Sequence, residues 1–164
     1  MNCRLASFYW VEPERLAAGE YPGADTLAAL IAEGIGGFID LTPETAHRSY
    51  TGEAARLAAA VGRDALHRRF PIVDFAVPEM AAMRAILDAI DEWLAAQRRV
   101  YVHCHAGIGR TGTVIGCWLV RRGVAPAHAL SELARLRRDM RSAHFPSPET
   151  AAQRDFVAAW RKGL

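Results

Sequence analysis

The segment from Val100 to Arg121 constrains the fold more than any other part of this sequence. It begins with an apolar run at 100–102, passes through a turn that contains Gly107 and Gly109, and then stays apolar on nearly every side. A short apolar run beside turn glycines predicts a buried strand, and a longer segment that is apolar all round predicts a helix inside the core. A buried strand that leads directly into a buried helix is typical of α/β folds.

The rest of the chain alternates between helical and strand patterns. Apolar residues at helical spacing predict helices over 24–33, 51–61, 78–96, 109–121, 126–140 and 148–160, and apolar runs predict strands over 38–41, 68–73 and 100–102. This alternation predicts a single α/β domain over residues 1–164, with a central, largely parallel sheet of about four to five strands and about six helices. Ligands of such sheets bind beyond the carboxyl ends of the strands.

Composition and charge exclude several classes of protein. The 20 basic and 18 acidic residues are mixed along the chain and leave a net charge of +2, so the broad positive field of a nucleic-acid-binding protein is not expected. Residues 1–10 lack the pattern of a signal peptide, and no later segment has the length of apolar sequence that a membrane span needs. Cys3, Cys104 and Cys117 form no paired spacing, which argues against disulfides and zinc fingers. We therefore expect a cytoplasmic protein without a membrane anchor.

The turn between the predicted central strand and helix has the features of an anion-binding site. Backbone N–H groups of the turn and of the first helical turn point at one spot, and the helix dipole adds partial positive charge there. Cys104 at the mouth of this nest is expected to react as the thiolate. Arg110, six positions later, can fold its planar guanidinium over the nest and hold two oxygens of a tetrahedral anion, which lysine cannot reproduce. These residues predict a ligand of phosphate shape beside a nucleophilic thiol.

The full segment 103–112 reads His-Cys-His-Ala-Gly-Ile-Gly-Arg-Thr-Gly. This Cys-x5-Arg pattern with its following threonine resembles the signature loop of the protein tyrosine and dual-specificity phosphatase superfamily. The resemblance extends from about Phe8 to Trp160, and small bacterial and archaeal dual-specificity phosphatases are similar in size and order. It implies a dual-specificity-phosphatase-like fold and a phosphatase that forms a phosphocysteine intermediate, with no metal and no cofactor.

The resemblance implies a role for each polar residue of the loop. Cys104 is expected to be the nucleophile, Thr111 to hydrogen-bond the departing thiolate, and His103 to set the loop without touching the substrate. The residues implied in phosphate binding are His105, Ala106, Gly107, Ile108, Gly109 and Arg110.

Two further residues outside the loop match the family pattern. Asp74, in the segment 71–78, corresponds to a general acid that precedes the cysteine on a mobile loop. Gln153, in the segment 147–153, resembles the glutamine that positions the hydrolytic water in tyrosine-specific members. Both are therefore candidate catalytic residues.

The substrate class remains open. The lysine-free interior of the loop resembles that of members directed to phosphotyrosine on proteins, with phosphoserine and phosphothreonine as further candidates. Members that act on phosphoinositides or other small molecules tend to carry lysines there, although His105 could be partly cationic. A rhodanese-type sulfurtransferase does not need Asp74, and an inactive phosphate-binding module would be expected to lack the cysteine, the arginine or the acid. We expect a monomer whose partner is a phosphoprotein or phosphopeptide and not a nucleic acid.

Other readings apply to several residues. Metal binding by His103, Cys104 and His105 is disfavoured because neighbours on a strand point to opposite sides. Cys117 is predicted to lie in the core, and a redox role for it, or for Cys3, is the alternative.

Four arginines lie on the predicted helix 126–140 or just after it: Arg135, Arg137, Arg138 and Arg141. They are predicted to form a solvated face, and substrate docking is the alternative. Topology alone also places His47, Arg48 or Tyr50 near the substrate.

Overall fold

Five strands form one sheet in the computed structural model of the chain, which describes residues 6–164. The strands are β1 (Phe8–Glu12), β2 (Leu16–Gly19), β3 (Ile35–Asp40), β4 (Leu66–Arg69) and β5 (Arg99–His103). Across the sheet their order is β1-β2-β5-β3-β4, which puts β5 at the centre. Strands β1 and β2 are antiparallel and every other neighbouring pair is parallel. The predicted α/β fold with a largely parallel sheet is confirmed.

Helices cover both faces of the sheet. They are α1 (Ala24–Ala32), α2 (Thr51–Ala60), α3 (Met80–Ala95), α4 (Gly109–Arg121), α5 (Pro126–Leu136) and α6 (Ala151–Ala159). Helices α1 and α2 pack on one face, and the other four contribute to the larger core on the opposite face. Helix α4 is buried from its first residue through Val120, as its apolar pattern predicts. None of these helices, within the described part of the chain, has the length and apolar character to cross a membrane.

The first two strands were not predicted from the sequence, and a third was misplaced. Strand β2 reads Leu-Ala-Ala-Gly, and alanine favours helices, yet all four residues are buried between β1 and β5. The strand predicted over 68–73 is instead β4, which pairs with β3 only as far as Arg69. Beyond it the chain leaves the sheet, although Phe70 and Ile72 still donate backbone hydrogen bonds to Asp40 and Leu41.

Three predicted helix ends are also corrected. Helix α3 begins at Met80 and not at Pro78, because Glu79 before it is still extended. Helix α5 ends at Leu136 and not at Met140. Helix α6 begins at Ala151 and not at Pro148, because the Thr150 side chain caps the helix N-terminus.

The structure tests the predictions made for the cysteines and for the arginines of α5. Cys117 is buried in the core, and burial raises the pKa of its thiol far above the ordinary value. The prediction of a solvated arginine face is wrong for Arg137, which is only 2% exposed. Its guanidinium donates to Ser142 Oγ at 3.1 Å and to backbone carbonyls of the loop after α5, so it fastens that loop. Cys3 lies outside the described residues.

Candidate active site

The loop between β5 and α4 is shaped by its glycines. Cys104 follows β5 directly and is buried, and α4 begins at Gly109. Gly107 has φ +69°, and a Cβ at this position would meet the backbone of Gly19 and lie 2.7 Å from the amide nitrogen of Glu20. Only glycine fits this combination of left-handed backbone and close approach. The end of β2 therefore presses directly against the loop.

Neighbouring segments hold the loop in place by hydrogen bonds to its carbonyl groups. The Tyr21 backbone N–H donates to the carbonyl of His105 at 2.9 Å. Ser147, in the loop that precedes α6, donates from its Oγ to the carbonyl of Ile108 at 2.7 Å. Two carbonyl groups of the loop are thus satisfied by neighbouring segments, which stabilises the path of the loop.

Arg110 and Asp74 meet at this loop although they are far apart in sequence. Arg110 is only 5% exposed, whereas the Asp74 side chain is 62% exposed. Arg110 Nη2 lies 3.0 Å from Asp74 Oδ1, and Nη1 donates to the carbonyl of Ile72 at 3.1 Å. The guanidinium thus joins the start of α4 to the loop between β4 and α3.

Thr111 is buried one residue later, and its hydroxyl has no hydrogen-bond partner among the described residues. An unpaired buried hydroxyl is uncommon, because its desolvation is uncompensated. The hydroxyl is therefore open to a ligand or to a thiolate. Its predicted bond to the thiolate of Cys104 stays a prediction.

His103 is held in one tautomer behind the loop. Its Nδ1 lies 3.1 Å from the carbonyl oxygen of Cys104, and a carbonyl only accepts, so Nδ1 carries the proton. Nε2 consequently accepts from the Tyr50 hydroxyl at 2.7 Å. Burial lowers the pKa of His103 to about 4, and burial also raises the pKa of Tyr50. Both groups are therefore neutral at pH 7, as this pair of hydrogen bonds requires.

Asp40, at the carboxyl end of β3, is a buried carboxylate that the sequence analysis did not single out. Its Oδ1 accepts from the backbone N–H and the hydroxyl of Thr42 at 2.8 and 2.7 Å, and its Oδ2 lies 3.2 Å from both His67 Nε2 and Arg69 Nη1. Burial disfavours the charged form. The hydrogen bonds from His67 and Thr42 and the nearby His103 nevertheless hold the pKa of Asp40 well below its usual range. Its place at a strand end was the available signal.

A stack of three rings stands beside the loop. The His47 and His105 rings are nearly parallel, with centroids 4.9 Å apart, and His105 Nδ1 lies 3.1 Å from His47 Nε2. The Tyr21 ring also stacks on His47, with centroids 4.1 Å apart. Burial and the neighbouring His105 lower the pKa of His47. The structure thus brings His47 to the loop, as topology suggested, while Tyr21 was not predicted.

Gln153, the last of the predicted catalytic residues, lies at the N-terminus of α6 and is fully buried. Its side chain packs against Gly109, where a Cβ would lie 3.0 Å from Gln153 Oε1. Its predicted role with the hydrolytic water stays a prediction. Among residues 6–164, no group of three or more histidine, cysteine, aspartate or glutamate side chains could hold a metal ion.

Residues 15–124, about two thirds of the chain, match the family model Tc-R-P, described as a polymorphic toxin system DSP-PTPase phosphatase. The chain belongs to this family. The DSP-PTPase description places the chain in the protein tyrosine and dual-specificity phosphatase superfamily. The matched region includes the whole loop from His103 to Thr111 together with Asp74.

Curated relatives share parts of this chain's sequence. PTEN1 of Arabidopsis thaliana, named as a phosphatidylinositol 3,4,5-trisphosphate 3-phosphatase and protein-tyrosine-phosphatase, is 32% identical over 94 residues. That match covers 56% of this chain and 22% of the relative. The CDC14 homologue of Schizosaccharomyces pombe, a tyrosine-protein phosphatase, is 31% identical over 72 residues, which are 44% of this chain and 13% of that protein. The matched part thus spans only about a fifth of PTEN1 and less of the CDC14 homologue.

Solved structures match nearly the whole chain. Tk-PTP in its active form has a TM-score of 0.75 and 25% sequence identity, and the match covers 96% of this chain and 98% of that one. PTPMT1 in complex with PI(5)P has a TM-score of 0.70 at 19% identity and covers 93% of this chain and 95% of its own. At that identity the second likeness concerns the fold alone.

Proposed function

We propose that the chain is a single catalytic domain that hydrolyses phosphotyrosine on proteins through a phosphocysteine intermediate. The observation that carries the chemistry is the carboxylate of Asp74, 3.0 Å from Arg110, over a loop that begins with Cys104. A nucleophile, an anion clamp and a proton donor are the three groups that this reaction needs. All three belong to the described residues.

In the first step, the thiolate of Cys104 attacks phosphorus in line. The new S–P bond forms as the bond to the leaving oxygen breaks, and Asp74, in its protonated form, donates its proton to that oxygen. Arg110 and the loop N–H groups hold the equatorial oxygens, where charge resides in the transition state.

In the second step, water attacks phosphorus and the S–P bond breaks. Asp74, now ionised, takes a proton from the water, and inorganic phosphate and the thiolate are released. The Thr111 hydroxyl, which has no other partner among the described residues, donates to the departing sulfur.

The preference for phosphotyrosine rests on the interior of the loop. Between Cys104 and Arg110 there is no lysine, so this stretch offers no second fixed cation to a polyphosphorylated ligand. A single fixed cation beside the nucleophile suits a substrate that carries one phosphate, such as phosphotyrosine.

The alternative is a phosphoinositide or another small phosphate ester, and one observation favours it. The imidazoles of His47 and His105 lie together beside the loop, and a ring N–H of this pair offers a hydrogen-bond donor to a second phosphate. PTEN1 of Arabidopsis thaliana, which this chain resembles in part, carries both lipid and protein-tyrosine activities in its name.

Two substitutions test the proposed chemistry. Cys104→Ser should abolish turnover of an aryl phosphate, because the hydroxyl is a far weaker nucleophile at neutral pH. Asp74→Ala should lower kcat by about 10²- to 10⁴-fold with little change in KM, since the acid acts on the transition state. Cys117→Ala, which removes a core thiol, is the matched control and should retain activity. Full activity of the serine variant would overturn the assignment of the nucleophile.

The substrate class is tested by direct competition. Initial rates are measured on a phosphotyrosine peptide, the matching phosphothreonine peptide and a soluble phosphoinositide at equal concentration. We expect the highest kcat/KM for the phosphotyrosine peptide. A clear preference for the phosphoinositide that is lost in a His47→Ala variant would instead support the alternative.

A further inference from the structure

The turn that carries Asp74 has few stabilising contacts of its own. The Ala76 N–H donates to the Val73 carbonyl at 3.1 Å and closes a β-turn. Phe75, its third residue, has φ +61°, a conformation that a bulky side chain disfavours. Val73 and Phe75 are both exposed, so the turn has no apolar anchor in the core. Contacts from other segments must therefore hold it above the active-site loop.

Two hydrogen bonds from the N-terminus of α6 reach this turn. Gln153 Nε2 donates to the carbonyl of Ala76 at 3.1 Å. Thr150 Oγ1 donates to the carbonyl of Phe75 at 3.4 Å and accepts from the Gln153 backbone N–H at 3.2 Å. The two carbonyls that directly follow Asp74 are thus both engaged by the same helix end.

The orientation of the Gln153 amide is fixed by its surroundings. Oε1 accepts from the backbone N–H groups of Glu149 and Thr150, each at 3.1 Å. Because a backbone N–H can only donate, the amide oxygen must face these groups and the nitrogen must face Ala76. The same side chain packs against Gly109 at the start of α4. Gln153 therefore links the turn to the active-site helix.

We propose that Gln153 is a positioning residue for the first chemical step, in which its amide, with Thr150, holds the turn so that Asp74 stays beside Arg110. This inference rests on the proposed function, in which Asp74 protonates the leaving oxygen while Cys104 forms its bond to phosphorus. It concerns a different step from the water-positioning role that the family resemblance implies for Gln153.

The two roles have different kinetic signatures. A displaced acid slows the formation of phosphocysteine, and the loss is largest for weakly acidic leaving groups, which depend on the proton from Asp74. Poor placement of water slows the hydrolysis of phosphocysteine equally for every leaving group, because that group has already departed. It also produces a burst of the leaving group before the steady state.

Gln153→Met in the full chain removes the amide and keeps the length of the side chain. We expect kcat/KM for phenyl phosphate to fall by about 10- to 100-fold and that for 2,4-dinitrophenyl phosphate by less than about 3-fold, with no new burst. An equal loss of kcat/KM for both esters would overturn the proposal, and so would an unchanged kcat/KM with a lower kcat and a burst for both esters, which is the result expected of a residue that positions water.

A second variant and a control guard against a general effect on folding. Gln153→Glu keeps an oxygen for the helix cap but lacks the donor to Ala76, so we expect the same dependence on the leaving group. Asp155→Asn, an exposed change on the same helix, should match the parent protein on both esters. Thermal unfolding of each variant checks that the chain remains folded.

The same pair of esters separates this proposal from the proposed function. Asp74→Asn should show the leaving-group dependence by itself, and adding Gln153→Met should then cost little more, since both changes remove one function. If Asp74→Asn affects both esters equally, the assignment of the acid is wrong. If Asp74→Asn depends on the leaving group, but the loss of kcat/KM in the double variant equals the product of the losses in the two single variants, only the role of Gln153 is wrong.

Discussion

At the scale of single residues, the site is organised by which groups carry charge. His103 lies fully buried and neutral behind Cys104, whereas Asp40, equally buried, keeps its negative charge. The difference follows from partners, because Asp40 has four hydrogen-bonding or ion-pair contacts and His103 has neutral ones. Behind the loop, the negative charge is thus retained at Asp40 and no positive charge forms at His103 at neutral pH.

This arrangement predicts a pH-dependent effect of Asp40→Asn. The pKa of Asp40 is lowered in the folded chain, so the stability that its carboxylate contributes is complete above the unfolded value near 4 and is lost as the pH falls through the folded value. At pH 7, the variant should have a free energy of unfolding lower by about 1 to 3 kcal/mol.

Denaturant unfolding at a series of pH values measures this difference. The gap between the two proteins should narrow by roughly 1 kcal/mol per pH unit below about pH 4. Asp155→Asn, at an exposed position, should show no gap at any pH. A gap at Asp40 that stays constant down to pH 3 would contradict the lowered pKa.

Sequence reasoning found the residues of the loop and missed their supports. Cys104 and Arg110 belong to one short segment, so their spacing reveals them directly. Topology had suggested Tyr50 as a substrate contact, but its hydroxyl is buried and hydrogen-bonds His103, and Tyr21 stacks on His47; both contacts join positions far apart in sequence. Contacts of that kind leave no local pattern, which is why they could not be predicted.

At the scale of secondary-structure elements, the glycines of α4 determine how closely neighbouring segments can pack against this helix. A Cβ on Gly116 would lie 2.8 Å from both methyl groups of Val157 on α6. A Cβ on Gly112 would collide with Ser147 and lie 3.3 Å from Pro148. The bare face of α4 thus lets α6 and the loop before it approach closely, which brings Gln153 to the active-site loop.

Gly116→Ala should therefore destabilise the protein despite the better helix propensity of alanine. The gain of roughly 0.5 to 1 kcal/mol in propensity is outweighed by overpacking, which costs about 1 to 3 kcal/mol. Gly52→Ala in α2, where a Cβ meets nothing within 4 Å, is the matched control and should be neutral or stabilising. Urea unfolding of both variants measures the difference, and equal stability of the two would contradict this account of the helix contact.

Helices were predicted better than strands for a physical reason. Helix α4 begins and ends where the sequence predicts, because an apolar segment of that length has few other structures available. Strand β2 is short and contains two alanines, so it has no distinctive local pattern. Strand β1 reads Phe-Tyr-Trp-Val-Glu, whose aromatic and β-branched residues favour strands, so here a local signal was present and was missed. The burial of β2 comes from pairing with distant residues, as when Leu16 to Gly19 align with Val100 to His103.

At the scale of the whole molecule, the site gathers loops from across the sheet. The central strand β5 supplies Cys104, the segment after β4 supplies Asp74, and the end of β3 supplies Asp40. The α/β class and the edge of the sheet that holds the site follow from the sequence. The order of the strands cannot be predicted in the same way, because it depends on the pairing of β2 and β3 with the two opposite edges of β5.

The contact between Gly107 and Gly19 has a consequence for protein engineering. Neither position tolerates a side chain, since Gly107 abuts the backbone of Gly19, and a Cβ on Gly19 would lie 2.6 Å from the Tyr101 hydroxyl. The path of the loop is therefore locked at its midpoint, and new selectivity cannot be introduced there. A library meant to redirect the proposed activity toward other esters has to draw its diversity from His105, which is exposed, and Ala106, which is half-buried.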